Sequence, residues 1–482
     1  MPKRFFIVPL LWLITLGASA QNAPDNRLFF KPKQISSLWD TWMFYDRGTY
    51  YLYYLITERS PGEGVGLATS ADGVNWQERG TILRKASDAQ WMGTGSVWKS
   101  KEFSRNGTYL MNFSEWRGPA ADQGQQTIFF AQSTDLVHWQ RLASVATFAP
   151  DTTHYALNQG NNSRWDCIYT LPGPNGSRYG YWSANPKHGQ PGFGFGQTTD
   201  DTTWLALPPP RIDWRGQPPM PVFEVGAVEK IGSTYYLMAG TYYGYQGRVG
   251  MITFEADQPQ GPFRLASRNR FLLTSNKRHW NTYFARFFPT PQGLLVNHHA
   301  ISRRNEKSFS LLKRATVDAS GTLYLRYWTG NDKLKGQQLT TNWSPSNDTC
   351  FVGDRRPAVS LRPGLVMEGT VTLTGNADFS GLVFRTATRS SLLRLKHDGL
   401  TEAGLVGADG QTFELDETVD RDLRLGNTLT FRLIVSGPFL ELYLDDYLIQ
   451  CYSLPDECTD VGFVNASSFS QITIWRGKAA HQ

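Results

Sequence analysis

Ser70-Ala71-Asp72-Gly73-Val74-Asn75-Trp76 is a small residue, then Asp, then a Trp that closes a strand. The pattern returns as Ser133-Thr134-Asp135-Leu136-Val137-His138-Trp139 and as Thr198-Thr199-Asp200-Asp201-Thr202-Thr203-Trp204. Asp257-Gln258-Pro259-Gln260-Gly261-Pro262-Phe263 is a variant. The closing aromatics Trp76, Trp139, Trp204 and Phe263 recur roughly every 60 residues. Upstream of each lies a strand opened by a glycine turn: Gly48–Tyr54, Gly107–Phe113, Gly176–Trp182 and Gly232–Met238. A fifth begins at Gly293-Leu294-Leu295-Val296-Asn297-His298. Aromatic and β-branched runs punctuated by Gly read as strands and hairpins. Units of this length with four strands each are propeller blades. Each repeat Asp is read as a turn cap that lets the following ring pack between blades, with His138 structural in its turn.

Five units fit in residues 28–335, an all-β, five-bladed propeller. Residues 336–363 are rich in Thr, Asn, Ser, Pro and Arg and read as a linker or crossover. From 364 to 482 strands alternate with turns over Val366–Leu373, Gly381–Arg385, Leu392–Lys396, Leu429–Val435, Leu440–Tyr447 and Gln471–Trp475, a C-terminal β-sandwich. It shows no acid/base cluster, which assigns it to stability or glycan contact.

At the N-terminus, Lys3 and Arg4 precede an apolar run to Leu16 and the small-residue site Ala18-Ser19-Ala20. That pattern predicts a signal peptide over 1–20 and a secreted or periplasmic protein. No Cys follows the cleavage site, and no stretch is long enough to span a membrane. The chain has 16 Trp, 21 Tyr and 28 Phe, which in an exported protein suits a carbohydrate binder, although most rings must be core. The net charge of +6 is scattered without a basic run, so nucleic acid is not an expected partner. Four cysteines lack C-x-x-C spacing, which argues against structural zinc. Cys451 with Cys458, or Cys350 with either, is open to pairing, while Cys167 is expected to be a buried thiol.

Inner blade strands should precede the glycine turns. Asp40 stands eight residues before Gly48, Asp166 ten before Gly176 and Glu224 eight before Gly232. Three blades thus carry a carboxylate at nearly one repeat position, and scattered surface acids would not share a phase. Glu229 precedes its turn and is expected to be solvated. Paired carboxylates are the usual machinery for cleaving glycosidic bonds, one protonated and one ionised. A third can hold sugar hydroxyls and stabilise developing positive charge.

Trp39-Asp40 with the aromatic hairpin after it resembles the first-blade motif of glycoside hydrolase family 32, the invertases and levanases. Phe223-Glu224-Val225-Gly226-Ala227-Val228-Glu229 is similar to the general-acid blade of family 43. Arg164-Trp165-Asp166 resembles the stretch holding the transition-state stabiliser of family 32. A propeller followed by a β-sandwich is the family 32 architecture. The resemblance implies Asp40 as nucleophile in a retaining enzyme or base in an inverting one, Asp166 as stabiliser and Glu224 as general acid. It implies furanosides, β-fructosides first, then arabinosides or xylosides. Thr41, Trp165 and Val225-Gly226 depart from the family patterns and mark a divergent branch.

Further candidates for contact with an oligo- or polysaccharide are Trp39, Trp42, Trp98, Glu115, Trp116, Arg164, Trp182 and His298. Arg164 is also an ion-pair partner for Asp166. Each Trp has a competing place in the core. No metal or cofactor is required, but a channel cation on His298, His299 or His279 is a possibility that family 43 suggests. The rival functions are a transglycosylase or phosphorylase on the same frame and a non-catalytic glycan-binding propeller. A sialidase is disfavoured, because the repeat is one residue shorter than its Asp-box.

Overall fold

The computed structural model describes residues 28–478, apart from 34–37, 58–61, 119–123, 144–145, 157–163, 242–243, 274–278, 280, 346–347, 355–360, 362, 374–377 and 421–425. The expected signal peptide lies outside the described residues. No described helix is long and apolar enough to cross a membrane.

The repeat turns join the third and fourth strands of their blades. Asp72 accepts the backbone N–H groups of Val74 and Asn75 and the Ser70 hydroxyl. Asp135 does the same for Val137, His138 and Ser133, and Asp200 for Thr202, Thr203 and Thr198. These bonds favour the ionised carboxylate and hold Asp72 down at about 2 despite partial burial. Trp76 and Trp204 are thereby delivered into buried positions, and Trp139 is packed at 6.1 Å from Tyr53. In the fourth blade Asp257 pairs with Arg264 instead, while Phe263 is fully buried.

The blades are antiparallel sheets. Their inner strands are Leu38–Asp46, Ala89–Lys99, Trp165–Pro172, Glu224–Ile231 and Thr282–Thr290. Each inner strand packs against the next, and the fifth packs against the first, which closes the ring. Residues 28–30 lock the seam: Phe30 bridges Phe309 of blade five, and the Leu28 N–H donates to Ser436 Oγ of the second domain at 2.8 Å.

Blade five does not end at its outer strand Leu323–Tyr327. Arg326 pairs with Tyr447, so the sheet runs on into the sandwich. The continuing sheet holds Tyr447–Ser453, Phe439–Leu444, Thr428–Ser436, Leu365–Thr372, Phe469–Gly477 and Lys335–Trp343. A six-stranded sheet faces it, and Leu365, Met367, Leu382, Phe384, Leu433 and Phe463 fill the space between. The segment 336–363 is therefore more than a linker: Lys335–Trp343 and Thr349–Phe351 are edge strands of the two sheets. Lys335–Trp343 is exposed along most of its length, so it lacks the apolar alternation that reveals a strand.

All four cysteines are thiols. Cys350 stands opposite Phe463, which puts it five residues along the ladder from Cys458, about 17 Å away. Cys451 belongs to the other sheet. Cys167 is a buried thiol, as expected, hydrogen-bonded with Thr94 at 2.6 Å.

Candidate active site

Every inner strand carries a β-bulge at the same height. The ladders slip between Trp39 and Trp42, Met92 and Gly95, Asp166 and Tyr169, Val225 and Ala227, and Tyr283 and Arg286. A bulge bends its strand and re-aims side chains. Five in phase turn one ring of residues into the channel mouth. Two bulge residues pay for this in backbone conformation, Asp40 at φ 41° and Cys167 at φ 66°, in the left-handed region that non-glycine residues seldom adopt. Blade two uses glycine instead: a Cβ on Gly93 would stand 2.5 Å from Asp166 Oδ1 and 2.3 Å from Ser114 Oγ. Only glycine leaves Asp166 its place.

Asp40, Asp166 and Glu224 meet at this ring. Asp40 is half-buried, and its shielded Oδ1 has no hydrogen-bond partner among the described residues. Burial is the main force raising its pKa well above the ordinary value, and the negative charges of Glu224 and Asp166 add to it. Arg164 and Arg286 oppose that rise. Glu224 is also raised, by burial first; Arg164 opposes and Asp166 adds. Two half-buried carboxyls that repel one another do not both ionise readily, so the pair retains a proton above the usual carboxylate range.

Arg164 spans two of the acids. It donates to Glu224 and lies 3.8 Å from Asp166. Its neighbour Trp165 points the other way, into the core, with Nε1 donating to the Phe148 carbonyl at 2.8 Å. The inserted Trp is thus compatible with the Arg–Asp contact.

Other groups at the ring left no periodic signal. The Ser114 hydroxyl donates to Asp166 and itself accepts from Gln126 Nε2 at 2.9 Å. The Tyr283 hydroxyl donates to Glu224. Buried Arg286 donates from Nε to the Gly226 carbonyl at 2.7 Å and from Nη1 to the Gly95 carbonyl, which ties blades two, four and five together. Its Nη2 has no partner among the described residues. The one signal available was a lone Arg within Tyr283-Phe284-Ala285-Arg286-Phe287-Phe288.

Of the remaining candidates, Trp39 is at the site, its ring 6.0 Å from Tyr283 and 4.6 Å from His299. The structure does not bring the others there. Trp42 is 1% exposed and stacks on Tyr53 between blades. Trp98 and Trp182 share a core with Phe148, Trp165 and Trp204, and Trp116 stacks on Trp91 at 5.7 Å. Rings enclosed in this way offer no open face to a sugar. Glu115 is fully buried and both its oxygens are taken, by Arg141 and the Ala86 N–H on one side and Arg117 on the other.

Strand alternation corrects the histidine. His299 faces Tyr283 across the ladder, so His298 faces away, toward the sandwich. There its ring lies within 4.8 Å of ligand atoms on Glu441 and Cys451. Glu441 already accepts from Ser310 at 2.7 Å, Lys313 at 2.5 Å and Tyr443 at 2.5 Å. The Lys313 ammonium supplies the positive charge at that place, which leaves no open ligand set for a cation on His298. Glu229 is not solvated either: the Tyr169 hydroxyl donates to it at 2.6 Å, and burial pushes it up to about 7.

The family model "Glycosyl hydrolases family 43" matches residues 32–323. No curated protein matches the chain. Solved structures share its fold along nearly the whole length. A family 32 β-fructofuranosidase from Bombyx mori superposes with a TM-score of 0.71 at 11% identity, covering 95% of this chain and 96% of that one. Fructan 1-exohydrolase IIa from Cichorium intybus gives 0.68 at 11% identity, with 96% and 99% covered. Sucrose-6-phosphate hydrolase from Lactobacillus gasseri gives 0.70 at 13% identity, with 95% and 94% covered. Such identities speak for the fold, a five-bladed propeller with a β-sandwich.

Proposed function

This chain belongs to glycosyl hydrolase family 43, and from that premise we propose that it is an exported glycoside hydrolase that cleaves furanosides through Asp40, Asp166 and Glu224. β-Fructosides come first, because the fold likeness to fructofuranosidases extends through the sandwich as well as the propeller. Arabinosides and xylosides come next. Export rests on the N-terminal pattern of Lys3, Arg4 and the apolar run before Ala20.

One observation carries the assignment: carboxylates on the bulges of three different blades converge where burial and mutual repulsion keep a proton in the Asp40–Glu224 pair. Glu224 protonates the leaving oxygen, and the Tyr283 hydroxyl fixes its orientation. Arg164 keeps Glu224 in place and takes up the negative charge left after proton transfer. Asp40 works on the opposite side of the anomeric carbon, as nucleophile in a retaining reaction or as base for water in an inverting one. The configuration of the product first formed distinguishes the two. Asp166, bonded to Ser114, holds ring hydroxyls and offsets the charge of the oxocarbenium-like transition state.

Chromatography of products from sucrose, inulin, levan, arabinan and xylo-oligosaccharides tests the reading, with Glu224→Gln as control. Fructose, arabinose or xylose released by the wild type alone supports it and names the sugar. No release from any of them counts against it.

The pH profile follows from the same geometry. The active form carries one proton on the pair, and both carboxyls are raised above their usual values of about 4. kcat/KM should fall as pH rises through the raised value, where the proton leaves. It should fall again in acid, where a second proton is taken up. A profile still level at about pH 9 would contradict a shared carboxyl proton.

A further inference from the structure

The blade-five wall of the site holds polar groups that the mechanism does not use. Tyr283 pairs with His299, and Ile301 pairs with Lys307, across successive ladders. Alternate residues share a face, so Asn281, Tyr283, His299 and Lys307 point the same way. Trp39, next to Asp40, lies on this face, with the Lys307 ammonium 5.2 Å from its ring. Tyr283 donates to Glu224, so the wall runs directly into the carboxylates.

The charge on this wall is unbalanced. Lys307 makes no ion pair among the described residues, and burial pushes its pKa down with no carboxylate to offset it. His299 is fully buried, and neither ring nitrogen has a hydrogen-bond partner among the described residues. Burial and the Lys307 charge keep the ring neutral, with its pKa down at about 3. Asn281 is 2% exposed, and neither end of its amide has a partner among the described residues. Buried polar groups are normally satisfied, and a cluster of unsatisfied ones beside reacting groups is costly unless a ligand completes it. A cation, an imidazole N–H and an amide NH2 offer donors to a group with several acceptor oxygens and a negative charge. The Trp39 ring beside them offers an apolar face to the sugar that carries it. A neutral hydroxyl would satisfy His299 or Asn281 but leave Lys307 uncompensated.

We propose that the wall of Trp39, Asn281, His299 and Lys307 recognises an anionic substituent, carboxylate or phosphate, on the sugar at the scissile bond. This rests on the reading of Asp40 and Glu224 as the catalytic pair and adds to it a preference for acidic over neutral sugars.

Calorimetric titration of the mature chain tests it, with fructose 6-phosphate and glucuronate against fructose and glucose. The expected result is that at least one acidic sugar binds about tenfold or more tightly than its neutral counterpart. Lys307→Gln should remove that preference and Lys307→Arg should keep it. Tighter binding of fructose 6-phosphate identifies phosphate, and of glucuronate, carboxylate. Acidic sugars that bind no more tightly than neutral ones, or a preference that survives Lys307→Gln, overturn the proposal. Binding needs no turnover, so this outcome is independent of the product-release assay.

Discussion

Asp40→Asn should be inactive and yet more heat-stable than the wild type. Loss of the nucleophile or base is expected to lower kcat/KM by about 10³-fold or more. The stability gain follows from the cost of keeping Asp40 in place. Its Oδ1 is shielded from water without a partner among the described residues, and its backbone is left-handed. Asn keeps the shape, tolerates that backbone region and carries no charge. The linkage has a definite sign. A folded pKa raised above the unfolded value gives stability that is fully present below the unfolded value, about 3.9, and lost as pH rises through the folded one. At pH 7, far above the unfolded value, the wild type bears that loss, and the Asn variant has nothing to lose. Thermal unfolding at pH 7 should show Tm raised by about 2–4 °C. The gap should close as pH is lowered toward 4. An inactive variant with a lower Tm would make Asp40 a structural residue.

Lys313→Met should be the opposite case, destabilised with its chemistry untouched. Lys313 in blade five and Glu441 in the sandwich are no more than 1% exposed and pair at 2.5 Å across the seam between the domains. Removing the lysine leaves a buried carboxylate with only the Ser310 and Tyr443 hydroxyls for partners. Breaking a buried pair from one side costs about 3–5 kcal/mol, whereas replacing both partners by apolar groups is often close to neutral. Tm should fall markedly in Lys313→Met and largely recover in Lys313→Met with Glu441→Met. Activity below the unfolding range should match the wild type. An unchanged Tm in the single variant would contradict a seam held by this pair.

The repeat made the fold legible because Asp72, Asp135 and Asp200 do local work. Each caps backbone groups two and three residues ahead, and local hydrogen bonding leaves a local pattern. The convergence of the three acids was legible for a similar reason, since a ring of blades carries equivalent positions in repeat phase. The bulges were hidden, because an extra residue in a ladder has no composition of its own. The histidine turned on strand parity instead: one position along a strand moves a side chain to the other face, and His298 and His299 carry the same letter. Ser114 and Gln126 act on Asp166 from another blade, and no spacing within one repeat encodes such a contact. Glu115 misled because an acid ending a strand near the ring has the same letter whether it binds sugar or is neutralised by two arginines. The edge strand Lys335–Trp343 was read as linker because water, not core, covers most of it.

Glu224 is the residue on which the account turns, and its role as general acid has a signature in the leaving group. Glu224→Gln should be assayed on the native furanoside and on the dinitrophenyl glycoside of the same sugar, whose leaving group needs no proton. The account predicts a loss of about 10²–10⁴-fold on the native substrate and a much smaller loss on the aryl glycoside. Equal losses on both substrates would contradict it.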